Sequence, residues 1–163
     1  MTRRTMVATG LAATGGLAMP ASAKPILSNE PADWLGATRH IDTGDRLVQD
    51  TAQSVIAGLS NDRDKALALF DHVSRQIAFG FARGFWDNSA SEVLRGGRGY
   101  CNTKSTAFVA LLRAVRIPAR QVFVDIHASV LGGILDPGTP YVDHSYVEVF
   151  LDDAWRATDA YII

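Results

Sequence analysis

The chain has 163 residues, 47% of them hydrophobic and 20% charged, with a formal net charge of -1. This is the composition of an ordinary one-domain globular protein, long enough to bury a core without a disulfide or metal staple. The near-balanced charge gives no electrostatic footprint for nucleic acid or an anionic membrane surface.

The first segment, residues 1–23, reads as an export signal. Arg3 and Arg4 form a basic start, a soft Ala- and Gly-rich apolar stretch runs from Met6 to Met19, and Ala21-Ser22-Ala23 supplies an A-x-A cleavage site. The apolar stretch is too short and too glycine-rich for a stable membrane span. Paired arginines before a weakly apolar stretch look like a twin-arginine signal, with Met6 where an aromatic is usual. The expected destination is the periplasm or the medium, with no stable membrane insertion once the signal is removed.

Residues 24–44 carry Pro25, Pro31, Gly36 and Gly44 and few periodic apolar positions, so an irregular N-terminal segment is expected there. The folded domain is expected over residues 45–163. A first helix is predicted over residues 45–59, on Leu47, Val48, Val55, Ile56 and Leu59. A second, capped by Ser60 or Asn61, is predicted over 62–78, with Leu67, Phe70, Val73 and Ile77 on one face. An aromatic, glycine-bearing connection covers 79–85. A short helix over 89–94 leads to the glycine cluster Gly96, Gly97 and Gly99. The third long helix is predicted over 101–115, with Phe108, Leu111, Leu112 and Val115 on one face and Ala107, Ala110 and Ala114 allowing close approach, and Ile117-Pro118 ends it. Strands follow at 120–126, 144–151 and 154–161. A loop over 127–141 separates the first two, and Asp152-Asp153 forms the turn between the last two. Helices followed by an antiparallel meander define an α+β fold.

Cys101 is the chain's only cysteine. In an exported protein a lone thiol is expected to be either deeply buried or useful. Cys101 follows a glycine-rich loop and opens a helix. The unpaired N–H groups and positive end of a helix N-terminus favour a thiolate and can hold an oxyanion. Gly97 and Gly99 are expected to leave room for a substrate backbone. His144, near the start of a strand, is placed to act as a base, and a surface histidine on a sheet edge is the plainer alternative. A tight hairpin at Asp152-Asp153 sets Asp159 across from Tyr146 and diagonal to His144, where a carboxylate can orient the imidazole. Ser105 lies one helical turn past Cys101 and Ser145 points away from His144, so neither is a nucleophile candidate. His40, His72 and His127 show no metal-ligand spacing. No cofactor is expected. Arg120 and Glu148 form either a cross-strand ion pair or two separate surface charges.

Several segments carry a family resemblance. They are Gly97-Arg98-Gly99-Tyr100-Cys101-Asn102-Thr103-Lys104-Ser105, Ala110-Leu111-Leu112-Arg113-Ala114, Ile117-Pro118-Ala119-Arg120, His144-Ser145-Tyr146-Val147-Glu148-Val149-Phe150, Trp155 and Asp159. Together they resemble the bacterial transglutaminase-like core, a papain-like cysteine fold. The resemblance implies Cys101 as nucleophile, His144 as base and Asp159 as orienting acid. It also implies acyl transfer through a thioester on a peptide or protein amide. Water as acceptor gives a peptidase or amidase, the favoured reading. A lysine amine gives a crosslinking transglutaminase, and a non-catalytic binding module on the same fold is a further alternative. Trp86-Asp87-Asn88 resembles a stretch of animal transglutaminases whose indole N–H helps hold the oxyanion, which makes Trp86 either an oxyanion donor or a core residue. Two features depart from the family pattern: Asp152-Asp153-Ala154 stands where a turn glycine is usual, and the sequence ends four residues past Asp159, where family domains carry further strands. A minimal or truncated sheet is the expectation there.

Overall fold

The computed structural model describes residues 28–132 and 136–160. The export signal expected over residues 1–23 lies outside them. A single turn of 3-10 helix, Pro31–Trp34, interrupts the irregular N-terminal segment. Three helices follow: α1 (Arg46–Val55), α2 (Asp62–Gln76) and α3 (Ala90–Gly96). Asp45, Asn61 and Ser89 cap them, each accepting a backbone N–H of the first turn. Ser89 and Glu92 form a reciprocal capping box. The fourth helix, α4 (Cys101–Ala114), precedes the strands β3 (Ala119–His127), β4 (Tyr141–Leu151) and β5 (Ala154–Thr158). These form one antiparallel sheet in the order β3-β4-β5. The α+β expectation holds.

Two short strands were not legible in the sequence: β1 (Ala78–Phe79) and β2 (Arg98–Gly99) pair in parallel. Two residues are too few to show an alternating pattern. Their pairing ties the chain after α2 to the glycine cluster before Cys101, through Ala78 N–H to Gly97 O at 2.9 Å and Gly80 N–H to Gly99 O at 3.0 Å.

The core is organised around α4. Every residue from Cys101 to Arg113 except Asn102 is buried. The helix packs against α1, α2, α3, β3 and β4. The one apolar face expected from the sequence is therefore too narrow. Ala107 and Ala110, both fully buried, let neighbouring elements close on the remaining sides. On α2 the buried positions are Ala66, Leu69, Val73 and Ser74, whereas Leu67 is 57% exposed. Of the expected face, Val73 and Ile77 are buried and Phe70 packs edge-on against Phe108 of α4, while Leu67 alone turns to solvent.

The hairpin register agrees with the sequence reading: Phe150 faces Trp155 and Val147 faces Thr158. Asp152 and Asp153 take φ of 52° and 59°, which supplies the two left-handed residues of a tight turn without glycine. β4 begins three residues earlier than expected, since Tyr141, Val142 and Asp143 pair with His127, Ile126 and Asp125. β5 ends at Thr158, so Asp159 lies just past the ladder. Arg120 Nε lies 2.6 Å from Glu148 Oε2, which settles these two as a cross-strand ion pair, and the Arg120 guanidinium also covers the Trp155 ring at 4.3 Å.

Helix α4 ends in a Schellman motif. Ile117 N–H bonds to Leu112 O at 2.9 Å and Arg116 N–H to Arg113 O at 3.0 Å. Arg116 takes φ of 66° there, a position that favours glycine, and its side chain is exposed. Arg116→Gly should therefore stabilise the fold by about 1 kcal/mol, the ordinary cost of a left-handed non-glycine residue. Urea melts of both proteins check this; an unchanged or lower midpoint would contradict the account.

Candidate active site

Cys101 opens α4 behind the β2 segment. Its position depends on Gly99, where a Cβ would come within 2.8 Å of Thr103 Oγ1 and 3.1 Å of Lys104 Cγ. Gly97 is the left-handed cap of α3 at φ 58°. The sequence expectation that these glycines make room for a substrate is replaced: the protein's own side chains fill the space at Gly99, and Gly97 ends a helix. Thr103 Oγ1 accepts the Tyr100 N–H at 3.1 Å and so closes the first turn.

A buried polar network fixes α4 on the sheet. Gln121 of β3 donates to Ser145 Oγ and to Asn102 O, both at 2.9 Å, and its carbonyl accepts from Thr106 Oγ1 at 3.2 Å. Ser105 Oγ donates to Ser145 O at 3.4 Å. Ser105 and Ser145 are thus positioning groups, which agrees with their dismissal as nucleophiles. Asn102 Nδ2 donates to Asp143 Oδ2 at 2.8 Å, which joins the residue after the thiol to the residue before His144.

His144 projects from the face of β4 opposite Ser145, and its Nε2 lies 2.7 Å from Asp159 Oδ2. Their side chains are 12% and 31% exposed, so the contact is only partly open to water. Asp159 lies beyond the last ladder pair, and other contacts hold its segment. The Ser74 hydroxyl at the end of α2 donates to Ala160 O at 3.2 Å. Lys104, only 2% exposed, donates its ammonium to Ser74 O at 3.4 Å. Burial pushes the Lys104 pKa down, and the Asp159 carboxylate nearby opposes this. Sequence reading missed Lys104, because a lysine on a helix is ordinarily solvated; its place three residues after Cys101 on a helix rich in small residues was the available signal.

Cys101 and His144 line one cavity of about 180 Å³. Its other walls are aromatic (Phe79, Phe81, Phe85, Tyr100) and aliphatic (Ile126, Leu131, Val142), with Asp143 at the chemistry-bearing side. A larger groove of about 360 Å³, between α2 and β5, shares no lining residue with it. The structure does not bring Trp86 to the cavity: it sits in a 3-10 turn, 66% exposed, and is absent from the walls. Neither the oxyanion nor the core reading of that indole fits this placement. The neighbouring Asp87 instead meets His40 at 2.9 Å and Arg39 at 3.0 Å.

The thiol environment corrects one expectation. Cys101 is 8% exposed, and burial pushes its pKa up. The Asn102 backbone at the helix start and the Ser145 backbone on β4 pull it down, but do not overcome burial, and the Asp143 and Asp159 charges add to the rise. The net shift is therefore upward, against the lowering expected of a helix start. Among the described residues no group of three or more His, Cys, Asp or Glu is placed to hold a metal ion.

The transglutaminase-like superfamily model matches residues 49–160, more than half of the chain, and the protein belongs to that superfamily. Its members and structural neighbours are typically cysteine-dependent enzymes. The fold is similar to that of a presumed cysteine protease from Cytophaga hutchinsonii, at 21% identity and a TM-score of 0.66, over 83% of this chain and 43% of that one. It is also similar to the periplasmic domain of TgpA from Pseudomonas aeruginosa, at 21% identity and a TM-score of 0.55, over 80% and 46% of the two chains. At that identity the matches establish a papain-like, transglutaminase-like fold, and the chain spans less than half the length of either protein. No curated protein matches the chain.

Because the thiol pKa is raised, the thiolate fraction falls below that of a free cysteine at neutral pH and grows only above the ordinary thiol range. Alkylation of Cys101 by iodoacetamide, followed by intact mass against pH, should accordingly climb through the alkaline range. A rate already at its plateau near pH 6 would instead reveal a standing thiolate–imidazolium pair.

Proposed function

We propose that the protein is a cysteine-dependent acyl-transfer enzyme that hydrolyses peptide or protein amides, with Cys101, His144 and Asp159 as its triad. The observation that carries this reading is the 2.7 Å His144–Asp159 contact on a histidine that lines the same cavity as the chain's single thiol. With Nε2 turned to the carboxylate, Nδ1 is the nitrogen assigned to the thiol. Asp159 fixes the tautomer and steadies the imidazolium as it forms.

In the reaction Cys101 Sγ attacks the amide carbonyl carbon as its proton passes to His144. The Cys101 backbone N–H at the start of α4 supports the oxyanion. His144 gives the proton to the departing amine, the C–N bond breaks, and an acyl thioester remains on Sγ. Water then attacks the thioester as His144 takes its proton. The acid leaves, and the proton returns to sulfur. A thiol pKa pushed up by burial suits this sequence, because transfer of the proton to His144 then accompanies the attack.

Digestion of a defined peptide mixture, read by mass spectrometry, tests the assignment. Cys101→Ala and His144→Ala should each lower kcat/KM by roughly 10⁴-fold, and Asp159→Asn by roughly 10²-fold or more. Equal cleavage by Cys101→Ala would end the proposal. Covalent amine incorporation into a glutamine donor, at a rate exceeding hydrolysis, would replace hydrolase by transglutaminase. Retained peptide binding with no turnover in the wild-type protein would favour a binding module.

Action outside the cytoplasm is part of the same reading. It is supported by the export features of residues 1–23 and by the periplasmic origin of one structural neighbour. Among the described residues no helix is long and apolar enough to cross a membrane. Exported protein should begin near Lys24 on N-terminal sequencing; retention of Met1 in the cytoplasmic fraction would count against export.

A further inference from the structure

We infer that the cavity beside Cys101 is a specificity pocket for one bulky apolar side chain, aromatic or branched aliphatic, carried by the acyl-donor peptide next to the scissile carbonyl. The inference rests on the hydrolase reading for its chemistry and on separate observations for its selectivity.

The first observation is a preformed aromatic wall. The Phe81, Phe85 and Tyr100 rings lie within 5.1–5.3 Å of one another, with Phe85 stacked on Tyr100 at 15°. Phe81 and Phe85 are nevertheless 52% and 48% exposed. Large aromatics left half in water around a thiol are apolar area that a ligand can cover. Phe85 also holds φ at 48°, a left-handed backbone costly for a bulky residue, and this is the conformation in which its ring stacks on Tyr100. Tyr100 is bonded to Cys101, so the distance from wall to nucleophile is fixed through the covalent chain.

The second observation is the chemistry of the opposite side. Ile126, Leu131 and Val142 close the pocket, and no Lys or Arg lines it. The carboxylate present, Asp143, is already engaged by Asn102. An acidic side chain would meet the Asp143 carboxylate and no Lys or Arg. A glutamine side chain would bury its carboxamide against hydrocarbon, a polar group removed from water with little to bond. The volume of about 180 Å³ is below that of pockets for drug-sized ligands, and suits one side chain rather than an extended peptide.

The experiment uses peptide amides identical except at the residues flanking the scissile bond, set in turn to Phe, Leu, Ala, Gln, Glu and Lys. At one position, Phe or Leu should exceed Ala by about 10- to 100-fold in kcat/KM, as burial of one large apolar side chain implies, with Glu lowest. Phe81→Ala and Leu131→Ala, on opposite walls, should each shrink that ratio several-fold. In parallel, Cys101→Ala is titrated with the same peptides by calorimetry. Turnover without apolar preference, or a preference for Gln or Lys, overturns the pocket and leaves the hydrolase intact. Apolar preference in binding to Cys101→Ala, without turnover by the wild-type protein, overturns the hydrolase and leaves the pocket. A ratio unmoved by both wall variants also overturns the pocket.

Discussion

The structure depends on the burial of α4. A helix enclosed on nearly all sides must satisfy every polar side chain it carries, since an unpaired buried group costs about 1–3 kcal/mol. Thr103, Ser105, Thr106, Lys104 and Arg113 are all buried, and all have partners. Thr103 bonds within the first turn of α4, and the others reach other elements: α2 through Ser74, β3 through Gln121 and Ala119, and β4 through Ser145. Hydrogen bonds have narrow geometry, so these contacts fix the rotation and height of α4 against the sheet. They therefore fix where Cys101 sits relative to His144. The arginine shows what the enclosure costs: burial pushes the Arg113 pKa down to about 10, and hydrogen bonds to Ala119 O and Gly36 O with the Trp34 ring nearby offset that.

Asp159 follows from the same constraint. It stands one residue beyond the last β4–β5 pair, where a strand end would ordinarily fray. Ser74 holds Ala160, and Lys104 places a buried positive charge near the carboxylate. The central helix thus serves both ends of the site, with the thiol at its first residue and the cation three residues later. Substrate would meet a site whose members are set by core packing, not by loop closure, which suits a reaction that needs sub-ångström positioning.

Much of this was legible in the sequence because its cause is local. The cap expected at Ser60 or Asn61 is made by Asn61, whose side chain marks the start of α2 by local chemistry. The hairpin register follows from turn length and strand alternation, so the nearness of His144 and Asp159 could be read before any coordinates. What was not legible depends on sequence-distant packing. The β1–β2 pair joins residues twenty apart through two hydrogen bonds, with no pattern of its own. On α2, Ala66 is buried while Leu67 is 57% exposed, and periodicity cannot weigh an alanine against a leucine. Trp86 shows the limit of a short motif: three matching residues cannot orient an indole when the intervening chain differs in length.

The thiol is the place where two local rules conflict and a tertiary effect decides. A helix N-terminus lowers a cysteine pKa; enclosure raises it. The N-terminal amide does reach the sulfur here, yet burial wins. That outcome has a chemical logic. Oxidation follows thiolate character and exposure, so a buried thiol with a raised pKa is slower to oxidise. Under the proposed mechanism, the apolar walls around the thiol would strengthen every charge interaction once substrate displaced water from them. The burial around the first turn of α4 thus shapes the chemistry of the thiol as well as its position.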